Sequence, residues 1–163
     1  MLVPFEELEP GSKIWIYTSE KALNEKEINY IIEITEAFLK EWTAHGNSLQ
    51  AAVKILHHRF IILGVNEAFN EASGCSIDKS VAHFREVGRQ LNIDLLQRSL
   101  VAFREDNTIN LVPFSEIKQK ISAGEITGDT EVFNHAVVSK AELETSWVLP
   151  ARSSWVSKYF QSL

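Results

Sequence analysis

The densest collection of reactive side chains lies in one segment, Asn66-Glu67-Ala68-Phe69-Asn70-Glu71-Ala72-Ser73-Gly74-Cys75-Ser76-Ile77-Asp78. It follows a continuous apolar run and precedes a helical pattern, so unpaired backbone N–H groups and the positive end of a helix dipole should converge there. Such a place can hold an anion or lower a cysteine pKa enough to make a nucleophilic thiolate. The candidate ligand-binding residues are Asn66, Asn70, Ser73, Gly74, Cys75, Ser76 and Asp78, and the candidate nucleophile is Cys75. A plainer reading makes the same segment a capping loop. Its Ser, Asp and Asn side chains would then satisfy backbone groups, with Cys75 as a small buried hydrophobe. His83 sits two turns beyond Ser76, too far along the helix to act as base for Cys75, and no Cys-x-x-Cys pair supplies a resolving thiol.

The remaining constellations are weaker. Histidines 45, 57, 58, 83 and 135 are dispersed without a His-x-x-x-His pair, and adjacent His57 and His58 on a strand would face opposite ways. No metal or cofactor is therefore expected. There is no Gly-x-Ser-x-Gly elbow to organise a serine nucleophile. Glu25 and Glu27 open a helix, where acids favour the dipole. The tryptophans at 15, 42, 147 and 155 read as core and tail-docking residues.

Composition narrows the class. The 163 residues carry 16 Lys+Arg against 22 Asp+Glu, a net charge of −6, which gives no electrostatic attraction to nucleic acid. A hydrophobic content of 45 % suffices for a packed core, and the length suits one domain, 1–163. The longest apolar run, Phe60–Val65, is far short of the roughly 20 residues that cross a bilayer. Residues 1–7 lack a basic start and a continuous apolar stretch, so no signal peptide is expected. A single cysteine fits a reducing compartment, and a cytoplasmic protein without membrane insertion is the expectation.

The elements that must position these groups follow from periodicity. Lys13–Thr18 is rich in β-formers after the turn at Pro10-Gly11. Asn24 with Glu27 forms a capping-box pair, and Ile28, Ile31, Ile32, Thr35, Phe38, Leu39 and Trp42 recur at helical spacing until His45-Gly46 stops the helix. Residues 49–57 alternate as a half-buried strand, 59–65 are apolar on both faces, and His57-His58 connects them. Ile77, Val81, Phe84, Gly88 and Leu91 mark a second helix. A strand at 99–104 turns at Asp106-Asn107 into a return strand at 109–112. A short helix near 115–121, a strand near 131–138 and a last helical turn around 155–160 follow.

The order β-α-β-β-α-β up to residue 105 predicts an α+β fold. Its core, 12–105, would be ferredoxin-like, with an α/β extension at 106–163. Because the strands placed centrally are apolar on both faces, the sheet face away from the helices must be covered. The tail, with Phe114, Phe133, Trp147, Trp155, Tyr159 and Phe160, or a second subunit is expected to do so.

The combination Lys13-Ile14-Trp15-Ile16-Tyr17, Glu41-Trp42 with His45-Gly46, Arg59-Phe60, Phe69-Asn70, Ser73-Gly74-Cys75-Ser76-Ile77-Asp78, Val132-Phe133-Asn134 and Ser154-Trp155 resembles a family of small bacterial proteins of unassigned function. The resemblance covers nearly the whole chain. Members often carry the label "ABC transporter ATPase", and the family brings no established reaction and no functional residues to transfer. The label does not fit this chain: no glycine is followed by lysine, so there is no phosphate-cradling Gly-x-x-x-x-Gly-Lys-Ser/Thr, and no apolar strand ends in an Asp-Glu pair.

The reading that emerges is a non-enzymatic domain that binds a small ligand or a protein, with a second copy of itself among the admissible partners. The alternatives are a small anion or phosphorylated metabolite held by loop 66–78, and a thiol-dependent enzyme using Cys75.

Overall fold

A computed structural model describes residues 1–68 and 70–162, and the side chains of all of these except Ser162. Phe69, part of the reactive loop above, lies outside the described residues. The fold is α+β. The chain forms two compact units, one of Met1–Gln97 with Val138–Ala141 and the other of Arg98–Val137 with Glu142 onward.

In the first unit, strand β1 (Lys13–Thr18) leads to helix α1 (Glu25–Glu41). The capping box is present: Asn24 Oδ1 accepts from the Glu27 N–H at 2.8 Å, and Glu27 Oε1 accepts from the Asn24 N–H at 3.0 Å. The helix stops at Glu41, earlier than expected. His45 and Gly46, both at positive φ, make the two-residue turn of a small hairpin, β2 (Thr43–Ala44) and β3 (Asn47–Ser48). Strand β4 (Gln50–Leu56) then pairs antiparallel with β5 (Phe60–Asn66), and helix α2 (Gly74–Leu91) follows. The turn between β4 and β5 holds both His57 and His58 at positive φ, without the Asn or Gly that usually relieves it.

The sheet order is β1-β5-β4, all antiparallel, and every residue of β5 is buried. Ile61, Leu63 and Val65 join Ile31 and Leu39 of α1 and Phe84 and Val87 of α2 in one core. The opposite face carries Phe60, Ile62 and Gly64 by strand alternation. Within this unit its cover is the N-terminal segment, which sequence reasoning assigned no role. Phe5 and Leu8 pack over Gly64 so closely that a β-carbon there would lie 2.5 Å from Leu8 Cδ1. The buried Lys140 ammonium fastens this segment, donating to Glu6 O at 3.0 Å and Leu8 O at 2.7 Å, with the Phe5 ring 5.8 Å away. The other end of the segment pairs through Val3 N–H and Met1 O with Ala51 of β4, both at 2.9 Å.

The ferredoxin-like expectation needs correction at its fourth strand. Strand β6 (Leu100–Glu105) does not lie beside β1; it pairs with β7 (Thr108–Pro113) and β8 (Glu131–Phe133), within a sheet ordered β7-β6-β8-β9, where β9 is Val148–Pro150. Two physical reasons act together. The two-residue turn Asp106-Asn107, with both φ values positive, lets β6 pair with its immediate neighbour at little loop entropy. The outer edge of β1 is taken by residues 138–139, through a Lys13–Ser139 bridge and the Ile14 N–H on Val138 O at 3.0 Å.

The second unit also holds helix α3 (Ile117–Ser122), and helix α4 (Lys140–Ser146) begins at the end of the first unit. Phe103, Val112, Ile117, Ile121, Ile126, Val132, Ala151 and Val156 form its core. The strand expected over 131–138 ends at Phe133, because Asn134 Oδ1 accepts from the Ala136 N–H at 3.0 Å and turns the chain. Trp155–Ser162 is a 3-10 helix, where a last helical turn was expected. Among the described residues no helix is long and apolar enough to cross a membrane.

Gly88 tests the packing. By helix propensity alone, Gly88→Ala should stabilise α2 by about 1 kcal/mol. A β-carbon at Gly88 would, however, lie 2.5 Å from the backbone carbonyl oxygen of Ile93, which cannot rotate away. Urea unfolding is expected to show a net loss of about 1–3 kcal/mol.

Candidate functional site

The loop after β5 is built from polar groups that turn back onto the chain. Asn66 is buried, its amide donating to Gln50 Oε1 at 2.8 Å and its oxygen accepting from the Ala68 N–H at 3.0 Å. Asn70 donates to Ala44 O at 3.3 Å and Asn47 O at 3.4 Å, which ties the loop to the β2–β3 hairpin. Ser73 is the N-cap of α2, accepting from the Ser76 N–H at 3.1 Å. The buried Ser76 hydroxyl donates to Thr43 O at 2.7 Å, so the 2.8 Å contact between the two hydroxyls is donated by Ser73. The Trp42 indole closes the arrangement, donating to Ser76 O at 2.9 Å.

Asn66, Asn70, Ser73 and Ser76 are therefore structural ties between α2, the end of α1 and the hairpin. Gly74, Cys75 and Asp78 face solvent on the first turn of α2. The description of Cys75 as a small buried hydrophobe is corrected, since the thiol is exposed. Ser76, at the next position, takes the buried place instead because its hydroxyl has the Thr43 carbonyl to reach.

His83 faces the other helix. Its Nε2 lies 3.0 Å from the Thr35 hydroxyl, and its ring stacks on Phe38 at 4.5 Å between centroids and 14° between planes. Burial between α1 and α2 pushes its pKa down to about 4, so it packs there as a neutral ring. Among the described residues no three His, Cys, Asp or Glu side chains converge in a way that could hold a metal ion.

A different surface stands out in the second unit. Phe133 and Trp147 are buried against each other, 4.9 Å apart and edge-on, as expected of core aromatics. Phe114 is 57 % exposed and Trp155 37 % exposed, and these two stack with centroids 5.8 Å apart and planes within 8°. Tyr159 meets Trp155 edge-on at 6.3 Å, and Lys158 lies over the Tyr159 ring at 5.2 Å. Sequence reasoning assigned Phe114, Trp155 and Tyr159 to covering the first sheet. Nothing in their residue types signals exposure, because a surface aromatic and a core aromatic are the same letter. The one local hint is Pro113, which leads Phe114 into a 3-10 turn where strand alternation no longer dictates its direction.

Comparison with known protein families, curated proteins and solved structures finds no match to this chain.

Two predictions test this description. Ser76→Ala should cost about 1–2 kcal/mol by removing a buried hydrogen bond. Cys75→Ser should stay within about 0.5 kcal/mol of the native protein. Thiol labelling of the folded protein is the companion measurement, and Cys75 should react without unfolding. The second prediction concerns pH. The His83 pKa is depressed in the folded state, so the unfolded chain takes up the proton first. The native advantage is complete above about pH 6.5 and is lost as pH falls from there toward 4. The ring is only partly buried, and solvent screening holds the loss to about 1–2 kcal/mol. Unfolding free energies across pH 4–8 should fall more steeply for the native protein than for His83→Gln.

Proposed function

We propose that the protein is a non-enzymatic interaction domain that self-associates through the Phe114–Trp155–Tyr159 surface. The observation that carries this reading is the stacking of the two exposed aromatic side chains on each other. Such surface is costly to leave in water, and aromatic rings are the usual anchors of protein interfaces. The charges flanking the patch favour a second copy as the occupant. Glu116 is exposed two residues after Phe114, and Lys158 is exposed three residues after Trp155. Pairing about a two-fold axis brings each acid toward the other copy's base while the rings meet in the middle.

The α+β fold, with sheet order β1-β5-β4 in the first unit, names no reaction that would compete with this reading. Fold alone does not specify function; the exposed aromatic patch is what favours self-association. Its small area suits a weak dimer, with a Kd between about 1 μM and 1 mM.

Sedimentation velocity over a concentration series is the test. The native protein should shift from monomer toward dimer. Phe114→Ser should remain monomeric with a melting temperature close to the native value. Trp155→Ser should remain monomeric with a lower one, because most of that ring already packs against its own chain. Glu116→Lys should weaken the dimer, and adding Lys158→Glu should restore it. A native protein that stays monomeric above about 1 mM, or a dimer indifferent to Trp155→Ser, would overturn the proposal.

A further inference from the structure

A second feature of the second unit points to a small ligand. A cleft of about 340 Å³ opens between the β6–β7 hairpin and the segment that follows α3. That volume is at the lower end of small-molecule sites. Phe103, Asn110 and Val112 share one face of the hairpin, Phe103 being directly opposite Asn110. Phe103, Val112 and Ile126 make an apolar wall that belongs to the core of the unit.

The cleft is built from fixed parts. Gly124, at positive φ, ends α3, and the Glu125 N–H returns to Lys120 O at 2.9 Å. Thr127 and Thr130 lock the next turn: the Thr127 N–H donates to Thr130 Oγ1 at 3.0 Å, and the Thr130 N–H to Thr127 O at 3.1 Å. The buried Thr130 hydroxyl then donates to Glu105 Oε2 at 2.7 Å, which clamps the carboxylate at the rim. Lys120 is matched by Glu125, with Nζ 3.1 Å from Oε2. Glu105 has no such match. Among the described residues no lysine, arginine or histidine pairs with it, so the lining keeps one carboxylate held by a neutral donor beside an apolar wall.

We propose that this cleft binds a small amphipathic organic cation, a primary ammonium on an apolar stem. The ammonium pairs with Glu105, whose exposed carboxylate the Thr130 hydroxyl orients. The stem lies against Phe103, Val112 and Ile126, and the Asn110 amide is within the lining to take a polar substituent. An anionic ligand of the same shape meets the uncompensated carboxylate and is rejected. Nothing in this site involves Trp155, so it stands or falls independently of self-association.

Isothermal titration of the full chain with phenethylammonium, and with 3-phenylpropionate as the anion of similar size, tests it. The ammonium should bind one per chain, and the carboxylate at least tenfold more weakly. Glu105→Gln keeps an oxygen for Thr130 but removes the charge, and it should weaken ammonium binding at least tenfold without altering the melting temperature. Amide shifts in nitrogen-15 NMR spectra, on adding phenethylammonium, should be confined to residues 103–112 and 120–130. No binding of the ammonium, equal binding of the carboxylate, insensitivity to Glu105→Gln, or shifts centred elsewhere each overturns the assignment.

Discussion

Everything in the first unit depends on burying β5 on both faces. A strand that is apolar throughout is stable only when each face meets apolar matter, and the two faces here are met by unrelated parts of the chain. Helices α1 and α2 cover one side, with Ile61, Leu63 and Val65 in their core. On the other side Phe5 and Leu8 pack over Gly64. A β-carbon at that position would lie 2.5 Å from Leu8 Cδ1, so any larger residue there would require the leucine side chain to shift. The Lys140 ammonium, caught by the carbonyls of Glu6 and Leu8, holds this cover at a point where two backbone acceptors need a donor. Desolvating a lysine is costly, and two carbonyls and a ring face offset that cost only while the N-terminal segment is in place. Burial of β5 and capture of Lys140 are thus coupled.

The same economy governs the polar loop after β5. A loop rich in Asn, Ser and Asp can be a binding site or a set of ties, and what separates the two is where the hydrogen bonds go. Here Asn66, Asn70, Ser73 and Ser76 spend theirs on Gln50, the β2–β3 hairpin and the first turn of α2. The hairpin needs those ties, since strands of two residues have few hydrogen bonds of their own. The groups left facing solvent, Cys75 and Asp78, sit on the rigid helix start that these ties create.

In the second unit the balance is reversed, and groups are left over. Phe114 and Trp155 remain exposed although Phe133 and Trp147 show that the unit can bury aromatics. Among the described residues Glu105 is oriented by Thr130 without a cation, although Lys120–Glu125 and Arg104–Glu131 show that charges nearby do pair. Unspent apolar area and an unspent carboxylate are what binding to something outside the chain requires. The incomplete interactions thus lie at these surfaces of the second unit and not in the loop with the richest residue types.

The sequence by itself determined what is local. The Asn24–Glu27 capping box, the stripes of α1 and α2, the apolarity of β5 and the Asp106-Asn107 turn are all set by neighbours within a few residues. Side-chain periodicity and backbone preference act over that range. Even the need to cover the second face of the sheet was legible, because β5 leaves no polar face. Tertiary structure alone decided that, within the first unit, Phe5 and Leu8 lie over that face at Gly64. It also decided that β6 joins β7 and β8, that Ser76 is buried while Cys75 is exposed, and that Phe114 and Trp155 reach solvent. These outcomes are competitions between distant segments for the same edge or face. A strand edge accepts whichever partner costs least to bring there, and a residue's type records that it can be buried, not whether anything arrives to bury it.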